Sequence, residues 1–201
     1  TRAAKTGEWD FNNFINVDIG SVSNSLDLSG KPSGSTPGSS VASYNIRCLE
    51  IAKATVWLGY RNSIFIVDPL TLKVVDNFSV HLKKETQVRQ LAAMGDGVWC
   101  SMRLESSLRL YSSTKPYNHL QDVDIEPFIS KILSPKAFSF VRITSLKASG
   151  TRLWIGTANG VILSIACDKS KTAKEVQTEL GSSETGKIEV KTFIPKCSET
   201  S

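Results

Sequence analysis

Two histidines among 201 residues leave little room for acid–base or metal chemistry built on imidazole. The four cysteines, Cys48, Cys100, Cys167 and Cys197, contain no C-x-x-C pair and no spacing of the kind that holds zinc. Cys48 and Cys100 lie within expected strands, where a thiol behaves as a small hydrophobe, and a reducing, intracellular compartment is the corollary. No apolar run approaches the roughly 18 residues that a helical bilayer crossing demands, and the N-terminus lacks the charged-then-apolar pattern of a secretion signal. A membrane span and secretion are therefore both disfavoured. The G-x-S-x-G, H-E-x-x-H and phosphate-cradling glycine motifs are missing too, so His81 and His119 have no identifiable catalytic partner. The sequence reads as non-enzymatic, without cofactor or metal. It opens on Thr1 rather than Met, as a piece of a longer protein would.

What the chain has is a phrase repeated three times. Thr55-Val-Trp57-Leu-Gly59-Tyr-Arg-Asn-Ser-Ile-Phe-Ile-Val67 is an apolar strand, a short polar turn and a second apolar strand. The same sense returns around Trp99, and again in Arg152-Leu-Trp154-Ile-Gly156-Thr-Ala-Asn-Gly-Val-Ile-Leu-Ser-Ile165. Leu49, Leu91 and Leu146 each stand eight residues before their tryptophan, and Ile46, Val88 and Ile143 each stand eleven before. A recurrence of several dozen strand-forming residues is the mark of propeller blades. Trp57 to Trp99 is 42 residues and Trp99 to Trp154 is 55, the longer interval carrying an insertion. The fold class expected is all-β, a partial propeller of about three four-stranded blades. Trp57, Gly59, Trp99, Trp154 and Gly156 are its structural anchors: the large ring fills space between adjacent sheets, and the small residue two positions on permits close backbone approach.

Three regions follow from composition. Residues 1–45 hold a short aromatic stretch, with a strand expected near Trp9, and then a Ser, Gly and Pro-rich run, 29–40, too polar to offset the entropy of ordering it. Residues 46–165 carry the blades. The first blade has outer strands 46–51 and 72–78, a tight hairpin at Asn62-Ser63 and a turn at Asp68-Pro69-Leu70. The second runs from Val88 to about Val123, with its fourth strand at Tyr117–Leu120. Apolar positions 128, 129, 132 and 133 fit a short helix over 128–133, the insertion before the third blade, which begins at Phe138. Residues 166–201 form a polar tail in which 188–194 alternates like a closing strand.

The net charge of +5 is unevenly placed. Residues 46–127 carry 10 basic and 9 acidic side chains, whereas 128–167 carry Lys131, Lys136, Arg142, Lys147 and Arg152 with no acid. These five form a patch able to attract an anionic partner, such as a phosphopeptide, an acidic peptide or a lipid headgroup; the ordinary alternative is a solvated face. Nucleic acid does not fit, because the cations are not interleaved with aromatics. Asp122, Asp124 and Glu126 alternate, which on an extended segment would align three carboxylates for a hard cation or, more simply, make an acidic edge.

The stretches 56–79, 119–128 and 138–144 resemble the C-terminal region of the c-Jun N-terminal kinase-interacting scaffold proteins, in the long coiled-coil branch known as Sunday driver or sperm-associated antigen. The similarity covers about 46–165. It implies a WD40-like propeller in a cytoplasmic adaptor that gathers stress-activated kinases and links vesicle cargo to kinesin and dynein along microtubules. In that family the kinase and motor contacts lie in coiled coils and neighbouring segments, and no sustained heptad pattern occurs in this chain. No family binding residue is carried over. The nearest alternative is the propeller of a Rho-type guanine nucleotide exchange factor, whose blades share the Trp-x-Gly pattern.

Overall fold

A computed structural model of the protein describes Val17, Ile19 and residues 45–133, 140–166 and 190–193. The strand expected near Trp9, the 29–40 run, Lys136, Phe138, Cys167 and Cys197 lie outside the described residues.

Among the described residues twelve strands form three antiparallel four-stranded sheets, each in simple chain order. The first is β1 (Cys48–Ala52), β2 (Thr55–Tyr60), β3 (Ser63–Asp68) and β4 (Lys73–Ser79). The second is β5 (Val88–Met94), β6 (Gly97–Met102), β7 (Ser107–Ser112) and β8 (His119–Asp124). The third is β9 (Ile143–Ser149), β10 (Arg152–Thr157), β11 (Ile162–Ala166) and, across a long connection, β12 (Val190–Phe193), which pairs with β11. Strand β1 packs against β5, and β5 against β9, so the first strand of each sheet lies on the hub side of a fan. The expected partial propeller of four-stranded blades is what the chain builds.

Local chemistry sets the element ends. Asp68 closes the β3–β4 turn by accepting hydrogen bonds on Oδ1 from the Leu70 and Thr71 backbone amides at 2.8 and 3.3 Å, which lowers the pKa of its carboxyl. The fourth strand of the second blade starts later than expected, at His119. Tyr117 is taken up in a turn instead, its φ of 57° lying in the left-handed region and its amide bonding the Thr114 carbonyl at 2.9 Å. The insertion helix, α1 (Glu126–Ser130), likewise begins before 128, because Pro127 suits the first turn of a helix, where no amide donor is required. Its Ile129 is fully buried, and Phe128, Ile132 and Leu133 pack beside it.

Blade packing explains the anchors. Each tryptophan is the third residue of the second strand of its sheet and points toward the following blade. Trp57, Ile64 and Ile66 of the first blade meet Val88, Leu91, Cys100 and Tyr111 of the second. Trp99, Leu108 and Val123 of the second meet Ile143, Leu146, Leu153 and Ile155 of the third. The rings of Phe78 and Tyr117 sit edge-on to Trp57 at 5.8 and 5.6 Å. The leucine anchors point the other way, toward the preceding blade.

This rule corrects the expectation that all the anchors are buried. Trp57 and Trp99 are 0% and 5% exposed, but Trp154 is 36% exposed, because among the described residues no fourth blade follows the third. By the same logic Leu91 and Leu146 are buried, whereas Leu49 is 59% exposed on the leading face of the first blade. Gly59 is squeezed from both sides: a Cβ there would strike Cys48 Sγ and come within 2.8 Å of Val88 Cγ1 in the next blade. A Cβ at Gly156 would meet the Ser145 hydroxyl of its own sheet and no atom of another blade. In the second blade the corresponding residue is Ser101, fully buried and donating to Gln90 Oε1 at 2.7 Å.

Three outcomes are expected of the 201-residue chain in denaturant titrations. Trp57→Ala and Trp99→Ala each cost about 3–5 kcal/mol, the usual loss for a buried aromatic, while Trp154→Ala costs about 1 kcal/mol or less. Equal losses at all three would show that the third blade's trailing face is covered. Gly59→Ala destabilises by about 1–3 kcal/mol through overpacking, and Gly156→Ala by clearly less; the reverse order would contradict the interblade contact. Burial also pushes the Cys48 thiol up from about 9 to about 11 and raises the pKa of Cys100. Above pH 9 the unfolded chain loses these protons while the folded chain keeps them, so stability falls as pH rises from 9 to 11. Cys48→Ala should flatten that decline, and an unchanged slope would remove Cys48 from the account.

Candidate functional site

Side-to-side packing consumes the sheet faces, so the blade ends are left for recognition. At one end the β2–β3 hairpin, the β6–β7 hairpin and the link 80–87 between the first two blades come together. Backbone bonds strap the link down: Val80 N–H donates to the Asn62 carbonyl at 2.8 Å, and Asn62 Nδ2 donates to the His81 carbonyl at 2.7 Å. Farther along, Val88 N–H donates to the Arg61 carbonyl and Arg103 N–H to the Gln87 carbonyl, each at 2.7 Å. Left-handed φ values at Arg61 (48°) and Leu104 (61°) turn the two hairpins sharply. Between them opens a cleft of about 250 Å³ lined by Arg61, Lys84, Glu85, Thr86, Gln87 and Arg103.

Sequence reasoning passed over these residues because region 46–127 is nearly neutral as a whole. The available signal was repeat phase: Arg61 and Arg103 each stand four residues after their blade's tryptophan. The patch that reasoning did select is dispersed by the fold. Lys147 is cross-strand to Trp154 on the trailing face of the third blade, and Arg152 lies along the same face. There Arg152 is half-buried and donates to Ser164 Oγ at 2.5 Å and to the Ser164 carbonyl at 3.0 Å. Arg142 precedes β9 at the hairpin end, where its carbonyl accepts from Ala158 N–H at 2.9 Å. Lys131 follows α1, with its ammonium 5.9 Å from the Phe128 ring centroid. Of the four members among the described residues, only Lys147 and Arg152 share a surface.

The three alternating carboxylates are also separated. Strand β8 ends at Asp124, so Glu126 enters the helix instead of continuing the alternation. Asp122 turns to His119 at 2.8 Å, while Asp124 accepts from Ser106 Oγ at 2.7 Å and from Glu126 N–H at 3.1 Å. Among the described residues no three potential metal ligands converge.

Both histidines fall on one line of surface charges. His81 Nδ1 accepts from Lys83 N–H at 2.9 Å, which turns Nε2 toward Glu105 at 3.5 Å. Glu105 pairs with Arg109 at 2.7 Å, Arg109 approaches Asp122 at 3.9 Å, and Asp122 meets His119. Among the described residues this line of charges holds no serine, threonine or cysteine. It serves to fasten the 80–87 link to the second blade.

Residues 29–171 match the WD40 repeated domain. The chain is 42% identical over 202 aligned residues to human C-Jun-amino-terminal kinase-interacting protein 4, covering 96% of this chain and 14% of that protein. It is 46% identical over 166 residues to JNK-interacting protein 3 of Drosophila melanogaster, covering 82% of this chain and 12% of that one. A more distant similarity, 28% over 118 residues, links it to Rho guanine nucleotide exchange factor 10-like protein of Bos taurus, with 59% of this chain and 9% of that protein covered. The chain thus spans about one-seventh of the first relative's length. Its three-blade fan, its repeat anchors and these similarities agree: the chain belongs to the WD40 repeated-domain family and, within it, to the group of the JNK-interacting proteins.

Proposed function

We propose that residues 46–165, closed by the strand at Val190–Phe193, act as a protein-interaction module in a longer scaffold. That scaffold gathers kinases of a stress-activated cascade and couples vesicle cargo to kinesin and dynein, inside the cell and on vesicle surfaces. The observation that carries this reading is the family similarity along most of the chain to proteins named for their interaction with a kinase. The fold is consistent with it, because the side chains able to do chemistry are tied into structural pairs while the hairpin end stays open. Among the described residues no helix is long and apolar enough to cross a membrane. The kinase and motor contacts are assigned to segments outside this chain. The exchange-factor reading is weaker, since that similarity is lower and covers little more than half of the chain.

The test compares the full-length protein with a form lacking residues 46–193 in cells. Kinase and kinesin should still co-precipitate with the shortened form, while its recruitment to vesicles should fall several-fold. Loss of kinase and motor binding together, or no change in any partner or in vesicle recruitment, would overturn the assignment.

A further inference from the structure

We infer that the cleft between the first two blades binds a phosphorylated serine or threonine presented by a partner protein. The inference deepens the interaction-module reading and rests on it for the protein source of the ligand. The cleft owes its charge to the repeat itself. Arg61 and Arg103 occupy the same phase of two consecutive blades, and their backbones bond to Val88 and Gln87, neighbours where the link enters β5. Both residues line the one cleft. The third blade has Ala158 in that phase, so the pairing is particular to the first junction.

Both arginines are exposed, and among the described residues neither has an ion-pair partner. Arg109, by contrast, is held by Glu105 and Asp122. Arg61 lies 5.3 Å over the Tyr60 ring, which steadies its side chain while leaving the charge uncompensated. Lys84 adds a third cation to the lining and Glu85 a single carboxylate. A phosphomonoester offers nearly two negative charges and three acceptor oxygens, which two planar guanidinium forks engage better than they would one carboxylate.

A peptide fits better than a bilayer. The cleft is a recess between two turns and not a flat basic plane, and its carboxylate would face an anionic membrane unfavourably while being able to accept a basic residue beside the phosphate. Leu104, 58% exposed next to Arg103, offers an apolar contact for a neighbouring peptide side chain.

Fluorescence anisotropy of the 201-residue chain tests this with a labelled pool of short peptides randomised around a central phosphoserine or phosphothreonine, and with the same pool unphosphorylated. Phosphate-dependent binding should appear, weaken as salt rises, and fall about tenfold or more in R61E/R103E. R61Q/R103Q, which removes the charge without reversing it, should lose binding too, and circular dichroism shows whether each variant is folded. K147E, on the separate third-blade face, should bind as the parent does. No preference for the phosphorylated pool, or undiminished binding by folded R61E/R103E or R61Q/R103Q, would overturn the inference. So would loss of binding in K147E. Phosphatidylcholine vesicles with and without phosphoinositide form a further arm: Arg61- and Arg103-dependent capture of vesicles with none of peptide would also overturn it. In cells, full-length R61E/R103E that recruits vesicles normally while the 46–193 deletion does not would reject the cleft and leave the module standing.

Discussion

The whole structure depends on the burial of an indole from one blade under the apolar face of the next. Each sheet is apolar on both sides, and a four-stranded sheet with two such faces cannot stand alone in water. Trp57 is covered by the Leu91 face of the second blade, and Trp99 by the Leu146 face of the third. Stability accumulates from neighbour to neighbour, as in other repeat arrays, so no residue's burial is decided by its own blade alone. The buried Ser101–Gln90 bond belongs to the same seam, since Gln90 Nε2 also donates to the Thr144 carbonyl at 2.6 Å and ties the second blade to the third.

That arrangement separates structural work from recognition. Packing runs around the fan through the sheet faces, whereas hairpins and links lie at the strand ends and answer to fewer steric demands. The 80–87 link is nonetheless well fixed, by backbone bonds to both hairpins and by the His81–Glu105 contact. A cleft framed by such loops changes little when a ligand arrives, which limits the entropy lost on binding. Its two arginines come from the phase of the repeat that lies just past the second strand, and its lysine from the link.

The two ends of the fan differ from the middle. Leu49 on the leading face, and Trp154 on the trailing face, occupy positions whose equivalents elsewhere are buried. They keep the residue types of an interior seam at the two ends of the described fan.

Period and phase could be read from residue order alone, because the spacing of Trp57, Trp99 and Trp154 from their leucines is a property of a strand-turn-strand unit that every blade shares. The β2–β3 hairpin, whose turn is Arg61-Asn62, one residue earlier than expected, the turn at Asp68 and the insertion helix were legible for the same reason, each being fixed by neighbours a few positions away. Exposure was not legible, since Trp154 and Trp57 have like surroundings in sequence and differ only in whether a sheet lies beyond them. The basic run 128–167 looked continuous until strand alternation, a helix and a hairpin sent Lys131, Arg142 and the pair Lys147 and Arg152 to three different places. Arg61 and Arg103 made the opposite journey: 42 positions apart and hidden in a nearly neutral region, they meet at one cleft because the curvature of the fan sets equivalent hairpins side by side.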